Sequence, residues 1–421
     1  MILTVYSFHR YSIINLFLFI FFIISFIGCS SSKRFNDEDY NYPSKSNINS
    51  PNISVLLDDN NTTQSITLES NVILYSAEKS LAIINSGNKI ITKADGENIF
   101  INIGDKNFTS EYFKLGTKDK NSVIKYNDKK YRGFLKLLSD GNKILVVNEL
   151  PLEDYLRGVL PLEMPIGQGD ENYEALKSMA VAARTYSLSK MNKKNKTFDV
   201  YLDVRDQVYG GIEAEKEITN KLIDETAGLI LTYDDNPAQV FYSASCGGHT
   251  ENSRNVFGNY DIPYLQGVQD GDEPYCSIMH GFEWTEKYST DKVLSFLLKA
   301  NKINNSNYNI ENINIESRFT SGRVNELKFE LTSDNIDKEI IITGNNIRSI
   351  IKRENGGILK STMFDINFDN DILEINGKGN GHGVGLCQWG AIYLSNDGRD
   401  YKEILSHYFP GTEIESINYD K

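Results

Sequence analysis

After Ile53, hydrophobic periodicity first changes from β-type to helical near residue 150. From Ile53 to about Val147 the apolar residues come in short β-type runs broken by turn signals. The runs are Ile53–Leu57, Ile66–Leu74, Leu81–Ile84, Lys89–Thr92, Ile99–Ile103 and Lys143–Val147, with Ser86-Gly87-Asn88 and Asp95-Gly96 among the breaks. An antiparallel β-module over residues 53–147 is therefore expected. From Leu150 the spacing is helical: Leu152, Tyr155, Leu156 and Val159 share a face, and Pro161 stops the turn. A longer helix is predicted from about Glu171 to Met191, its small residues Ala180, Ala182 and Ala183 letting a neighbour approach closely. A third covers Glu215–Ala227 and is closed by Gly228, with strands at Leu229–Tyr233 and Gln239–Ser243. Residues 286–345 read as helical and then strand-like, a subdomain or insertion, and helical Gln388–Ser395 and Tyr401–Tyr408 follow a glycine-rich stretch. The expected class is α+β: a mixed, β-rich domain over 148–415 with a few helices, preceded by the β-module.

The N-terminus bears on where the protein resides. Ile13–Ile27 is almost wholly apolar, too short for a spanning helix, and is followed by Gly28-Cys29. This has the form of a lipoprotein-type signal peptide over residues 1–28, with Cys29 as the lipidated residue. A simple signal anchor is the alternative. Residues 29–52, rich in Ser, Asn, Asp, Lys and Pro, read as a flexible tether. The expectation is an exported cell-envelope lipoprotein held to the membrane by its lipid. A net charge of −13 argues against a nucleic-acid partner.

Four segments carry candidate chemistry. Glu163 lies between Pro161 and Pro165 with Leu162 and Met164 beside it, and stiff, apolar surroundings favour the protonated carboxyl that a general acid needs. Taken alone, a helix-end carboxylate facing water is the ordinary outcome. Arg184 emerges beside the alanine stripe, to pair with a carboxylate or to contact a sugar. Cys246 and His249, with Cys276 and His280 downstream, supply the residue types of a tetrahedral zinc site. In an exported protein a Cys246–Cys276 disulfide ranks first, zinc second and free thiols third. Glycine alternates from Gly377 to Gly385, so an extended chain would leave one face bare for a bulky ligand and put Lys378, Asn380 and His382 on the other.

In this order the segments resemble the SpoIID/LytB family of bacterial sporulation and cell-wall proteins. The stretches that carry the resemblance include Asn148-Glu149-Leu150-Pro151-Leu152-Glu153-Asp154-Tyr155, Glu163-Met164-Pro165 and Ala182-Ala183-Arg184-Thr185-Tyr186. They continue with Gln207-Val208-Tyr209-Gly210-Gly211, Ser245-Cys246-Gly247-Gly248-His249-Thr250, Gly381-His382-Gly383 and Gln388-Trp389-Gly390-Ala391. The resemblance implies a peptidoglycan lytic transglycosylase with Glu163 as its catalytic residue, serving as acid and then as base. Arg184, Tyr186, His382 and Gln388 are the implied substrate-binding groups. It requires no cofactor; zinc is not favoured, and Cys246 and Cys276 resemble the cysteine-bearing subset of the family. Cys387 stands where the family often has Ser and reads as a small buried residue. Glycan strands are the implied partner. A non-catalytic, wall-binding activator of an amidase is the alternative, and a hydrolase pairing Glu163 with Glu153 or Asp154 is a third reading.

Overall fold

The strand Lys143–Pro151 is buried along both faces from Ile144 to Leu150, and the fold is arranged around it. The computed structural model describes residues 50–417 apart from 77–78, 117–122, 169, 192–196, 259–260 and 334–335. The signal peptide, Cys29 and residues 29–49 of the tether lie outside the described residues. Ser50 and Pro51 already belong to the fold: the Pro51 carbonyl accepts the Leu152 N–H at 2.9 Å and the Ser50 hydroxyl accepts that of Glu153 at 3.3 Å.

The central strand pairs antiparallel with Asn52–Asp58 and with Phe134–Asp140 inside a seven-stranded sheet. A six-stranded antiparallel sheet packs across it. Alternation decides what each face buries. Ile144, Val146 and Leu150 enter the main core between the sheets, whereas Leu145 and Val147 join Leu56 in a small outer cluster. Lys89–Asp95 shows the same rule, with Ile90, Thr92 and Ala94 inward and the rest exposed. One expected run divides. Ile66–Leu74 becomes Thr63–Leu68 in one sheet and Val72–Ser76 in the other, because polar Glu69-Ser70-Asn71 carries the chain across.

Beyond Pro151 the chain turns helical, in Leu152–Arg157, Leu160–Glu163 and Tyr173–Lys190. The last is buried on all sides from Met179 to Ser187, enclosed by Glu217–Glu225, Gln388–Asn396, Tyr401–Tyr408 and the strand Leu229–Tyr233. Its alanines permit this, and its buried hydroxyls are satisfied internally: Ser178, Thr185 and Ser187 donate to carbonyls three or four residues back. The main core runs without a break from the β-sandwich into these helices.

Residues Glu283–Lys378 have their own core. Two three-stranded sheets and the helices Thr290–Lys299 and Asn346–Ile350 enclose Trp284, Val293, Phe329 and Leu373 in a hydrophobic cluster separate from the main one. The architecture is α+β and β-rich, as the two periodicities predicted.

Candidate active site

Glu163 ends the one-turn helix Leu160–Glu163, which has Pro161 in its first turn. Met164 turns extended and Pro165 follows, so the helix cannot continue. The carboxylate is half-buried, and its Oε1 accepts the Val208 N–H at 2.6 Å. Gln388, the first residue of its helix, hydrogen-bonds the same carboxylate. Burial raises the Glu163 pKa from 4.5 to about 7, even though both donors stabilise the anion. No charged side chain figures among the groups that set this value. The carboxyl thus exchanges its proton near neutrality in surroundings of neutral donors.

Val208 is held in place by its neighbours. Asp206 accepts the Tyr186 hydroxyl at 2.6 Å, the Tyr201 N–H at 2.9 Å and the Lys190 ammonium at 3.0 Å. Gln207 accepts the Ser187 hydroxyl at 2.8 Å and the Tyr155 hydroxyl at 3.2 Å, and the Gly210 N–H reaches the Gly158 carbonyl at 3.0 Å. The loop 206–210 is therefore fastened to the central helix and to the turn before Glu163. Tyr155, Tyr186 and Tyr242 stand close enough for the Glu163 charge to raise their pKa values, although burial is the larger cause in each. Tyr186 packs edge-on against Tyr242, their ring centroids 6.1 Å apart.

Of the residues expected here, the structure gathers Glu163, Gln388 and Tyr186. Arg184 must be corrected. Its guanidinium is wholly buried, with Nε and Nη2 each donating to a Glu153 oxygen at 2.8 Å and Nη1 reaching the Leu229 carbonyl at 3.1 Å. It tethers helices and has no face to offer a sugar. The same ion pair withdraws Glu153 as a second catalytic carboxylate. Asp154, the other candidate, sits 3.5 Å from the Arg157 guanidinium.

His382 takes a supporting position. Its Nδ1 accepts the Val384 N–H at 3.0 Å, and its ring lies edge-on to Phe257 and Phe241. Burial first, then the Arg348 and Arg323 charges, push its pKa down to about 3, so the imidazole stays neutral. The expected bare glycine face is also corrected. Gly379, Gly381, Gly383 and Gly385 all have positive φ, so the segment is not an extended strand. A Cβ on Gly379 would meet the Ser245 carbonyl at 2.7 Å, and one on Gly383 would strike the Arg323 guanidinium. These glycines admit the chain's own 241–247 segment and Arg323 rather than a ligand.

The zinc quartet does not assemble as expected. His280 is exposed, and the His249 Nδ1 contacts the Thr250 carbonyl at 2.6 Å. The Cys246 and Cys276 sulfurs lie 3.7 Å apart without a bond between them, and Cys387 and Asp270 join them. Asp270 lay in no recognised pattern, and Cys387 read only as a buried small residue. Nothing in linear spacing links positions so far apart.

The stage II sporulation protein family profile matches residues 140–233, which include Glu163 and Val208, and a domain of unknown function (DUF8618) matches residues 276–385. An uncharacterized protein of Brachyspira hyodysenteriae is 36% identical over 302 residues, covering 69% of this chain and 74% of its own length. The amidase enhancer of Bacillus subtilis is 30% identical over 296 residues, covering 62% of this chain but 40% of the relative. A stage II sporulation protein D from Bacillus amyloliquefaciens is 28% identical over 285 residues, covering 64% and 75%. With Glu163 and its Val208 donor inside the matched profile and these relatives beside it, the chain belongs to the SpoIID/LytB family.

Proposed function

We propose that the protein acts on the bacterial cell wall as a peptidoglycan lytic transglycosylase, with Glu163 as its single acid and base. The observation that carries this reading is the ionisation of Glu163, raised to about 7 by burial among neutral donors. Such a carboxyl can give a proton and take one back at the same pH. In the first step Glu163 protonates the glycosidic oxygen as the bond from the muramic C1 to that oxygen breaks. The carboxylate formed, held by the Val208 N–H and Gln388, then accepts the proton of the muramic 6-hydroxyl as O6 bonds to C1. The product is a 1,6-anhydro ring, and no water is consumed. A retaining or inverting hydrolase would require a second working carboxylate, and the engagement of Glu153 with Arg184 speaks for the one-carboxyl route.

Similarity to the amidase enhancer favours a second reading, a wall-binding activator of an amidase. One experiment divides the two. Purified glycan strands, intact and stripped of peptides, are digested with wild type and Glu163→Gln and analysed by mass spectrometry. Anhydro-muramic ends produced by the wild type alone are the expected result. Reducing ends would mean hydrolysis. Absence of products, together with amidase stimulation that survives Glu163→Gln, would establish the activator.

A further inference from the structure

The buried thiols have the arrangement of a metal site whose ligands are not those expected from spacing. Cys246, Cys276, Cys387 and Asp270 are all buried, and one ligand atom from each lies within 4.8 Å of the others. A tetrahedral zinc ion with Zn–S bonds of about 2.3 Å sets its sulfurs about 3.8 Å apart. The Cys246 and Cys276 sulfurs are 3.7 Å apart. The surrounding bonds orient the donors as an outer shell does. The Cys246 N–H points at the Cys387 sulfur at 3.2 Å, and Asp270 is fixed by the Tyr408 hydroxyl at 2.5 Å and the Cys276 N–H at 3.1 Å.

Charge supplies an independent observation. Arg323 is 1% exposed and donates to the Cys246 carbonyl at 2.5 Å, yet its Nε and Nη1 have no hydrogen-bond partner among the described residues. Burial weighs on its charge most, and the ionisable groups that face it are Cys246, Glu251, Cys387 and Cys276. Glu251 is already engaged, accepting the Ser321 hydroxyl at 2.5 Å and the Asn252 N–H at 2.7 Å. With three neutral thiols beside it, Arg323 would be a poorly compensated buried cation, which is costly. Three thiolates and a carboxylate around a divalent ion leave a net charge of −2, which answers it.

We propose that Cys246, Asp270, Cys276 and Cys387 form a closed tetrahedral zinc site that staples the base of the Glu283–Lys378 unit to the part of the fold carrying Glu163. Cys246 and Cys276 precede that unit and Cys387 follows it, and Ser245 beside Cys246 bridges to Asn380 just past the unit's last strand. Four buried protein ligands leave no open position, so the ion is structural. Cys387 adjoins Gln388, so the staple also fixes the start of the helix that reaches Glu163. This inference is independent of the proposed glycan chemistry.

The full chain, purified in mild detergent with reductant and no chelator, is analysed for metal by mass spectrometry. About one zinc per chain is expected. Cobalt in its place gives thiolate charge-transfer bands and the strong visible absorption of a tetrahedral ion. Cys387→Ser and Asp270→Asn lower the zinc content, while His249→Ala and His280→Ala retain it. The wild-type zinc content and cobalt spectrum do not depend on any variant folding. Wild type with less than about a tenth of an equivalent of zinc overturns the proposal, whether its thiols prove free or a Cys246–Cys276 disulfide shows as the loss of two hydrogens. Zinc lost in the histidine variants and kept in Cys387→Ser overturns the ligand set.

Discussion

Two glutamates of one short stretch, Glu153 and Glu163, meet opposite environments. Glu153 is wholly buried in a two-pronged ion pair with Arg184, which holds it still. Glu163 is half-buried and touched by neutral donors, and its carboxyl titrates near neutrality. A fixed counter-charge makes a carboxylate part of the scaffold. Its absence leaves the proton available for chemistry. On the proposed mechanism, the helix that begins at Leu152 and the turn that ends at Glu163 divide support and reaction between them.

The largest expected effect separates the two roles directly. Glu163→Gln should reduce glycan cleavage by about 10²–10⁴-fold, the usual range for a lost acid–base group, with the fold intact by circular dichroism. Glu153→Gln should do the reverse in kind. It strands the Arg184 charge in the core and should lower stability by about 3–5 kcal/mol, read by denaturant unfolding. The double variant Glu153→Gln/Arg184→Met should recover part of that loss, since neither charge is then left unpaired.

A smaller effect lies in the pH dependence of stability. The folded pKa of Glu163, about 7, exceeds the unfolded value of 4.5, so the folded state holds more protons between these limits. Its contribution is fully present below pH 4.5 and is lost as pH rises through about 7. Glu163→Gln should therefore match wild type at low pH and exceed it above neutrality by on the order of 1–2 kcal/mol, allowing for partial exposure. Melting curves of the two proteins across pH 4–8 test the sign. The smallest effect belongs to Gln388→Ala. Removing a donor to the carboxylate should move the alkaline fall of the cleavage rate to higher pH by less than about one unit. A shift to lower pH would mean that Gln388 does not stabilise the anion.

Much of the fold was legible before any coordinates. The central helix was legible with its small residues Ala180, Ala182 and Ala183, and Gly228 with φ of +74° closes the next helix near where the pattern stopped. These are local matters of side-chain period and backbone freedom. Gln388 was legible only through family likeness. Its contact with Glu163 spans 225 residues of chain, and no periodicity conveys that. The role of Val208 was not legible even within its family stretch, because its contribution is a backbone N–H, which every residue but proline possesses.

The sequence by itself determined that the chain is β-rich and then mixed, and that a proline-bounded Glu163 ends a short helix. Only the tertiary structure decided which polar groups share a space. It put Arg184 on Glu153 rather than on a ligand, and it filled the glycine-bared space with the 241–247 segment and Arg323. It replaced two histidines by Cys387 and Asp270 beside the cysteine pair. The reason is physical. Secondary structure follows from the period and conformational limits of neighbouring residues. Charge pairing, burial and metal geometry depend on distances between segments, which exist only once the chain has closed on itself.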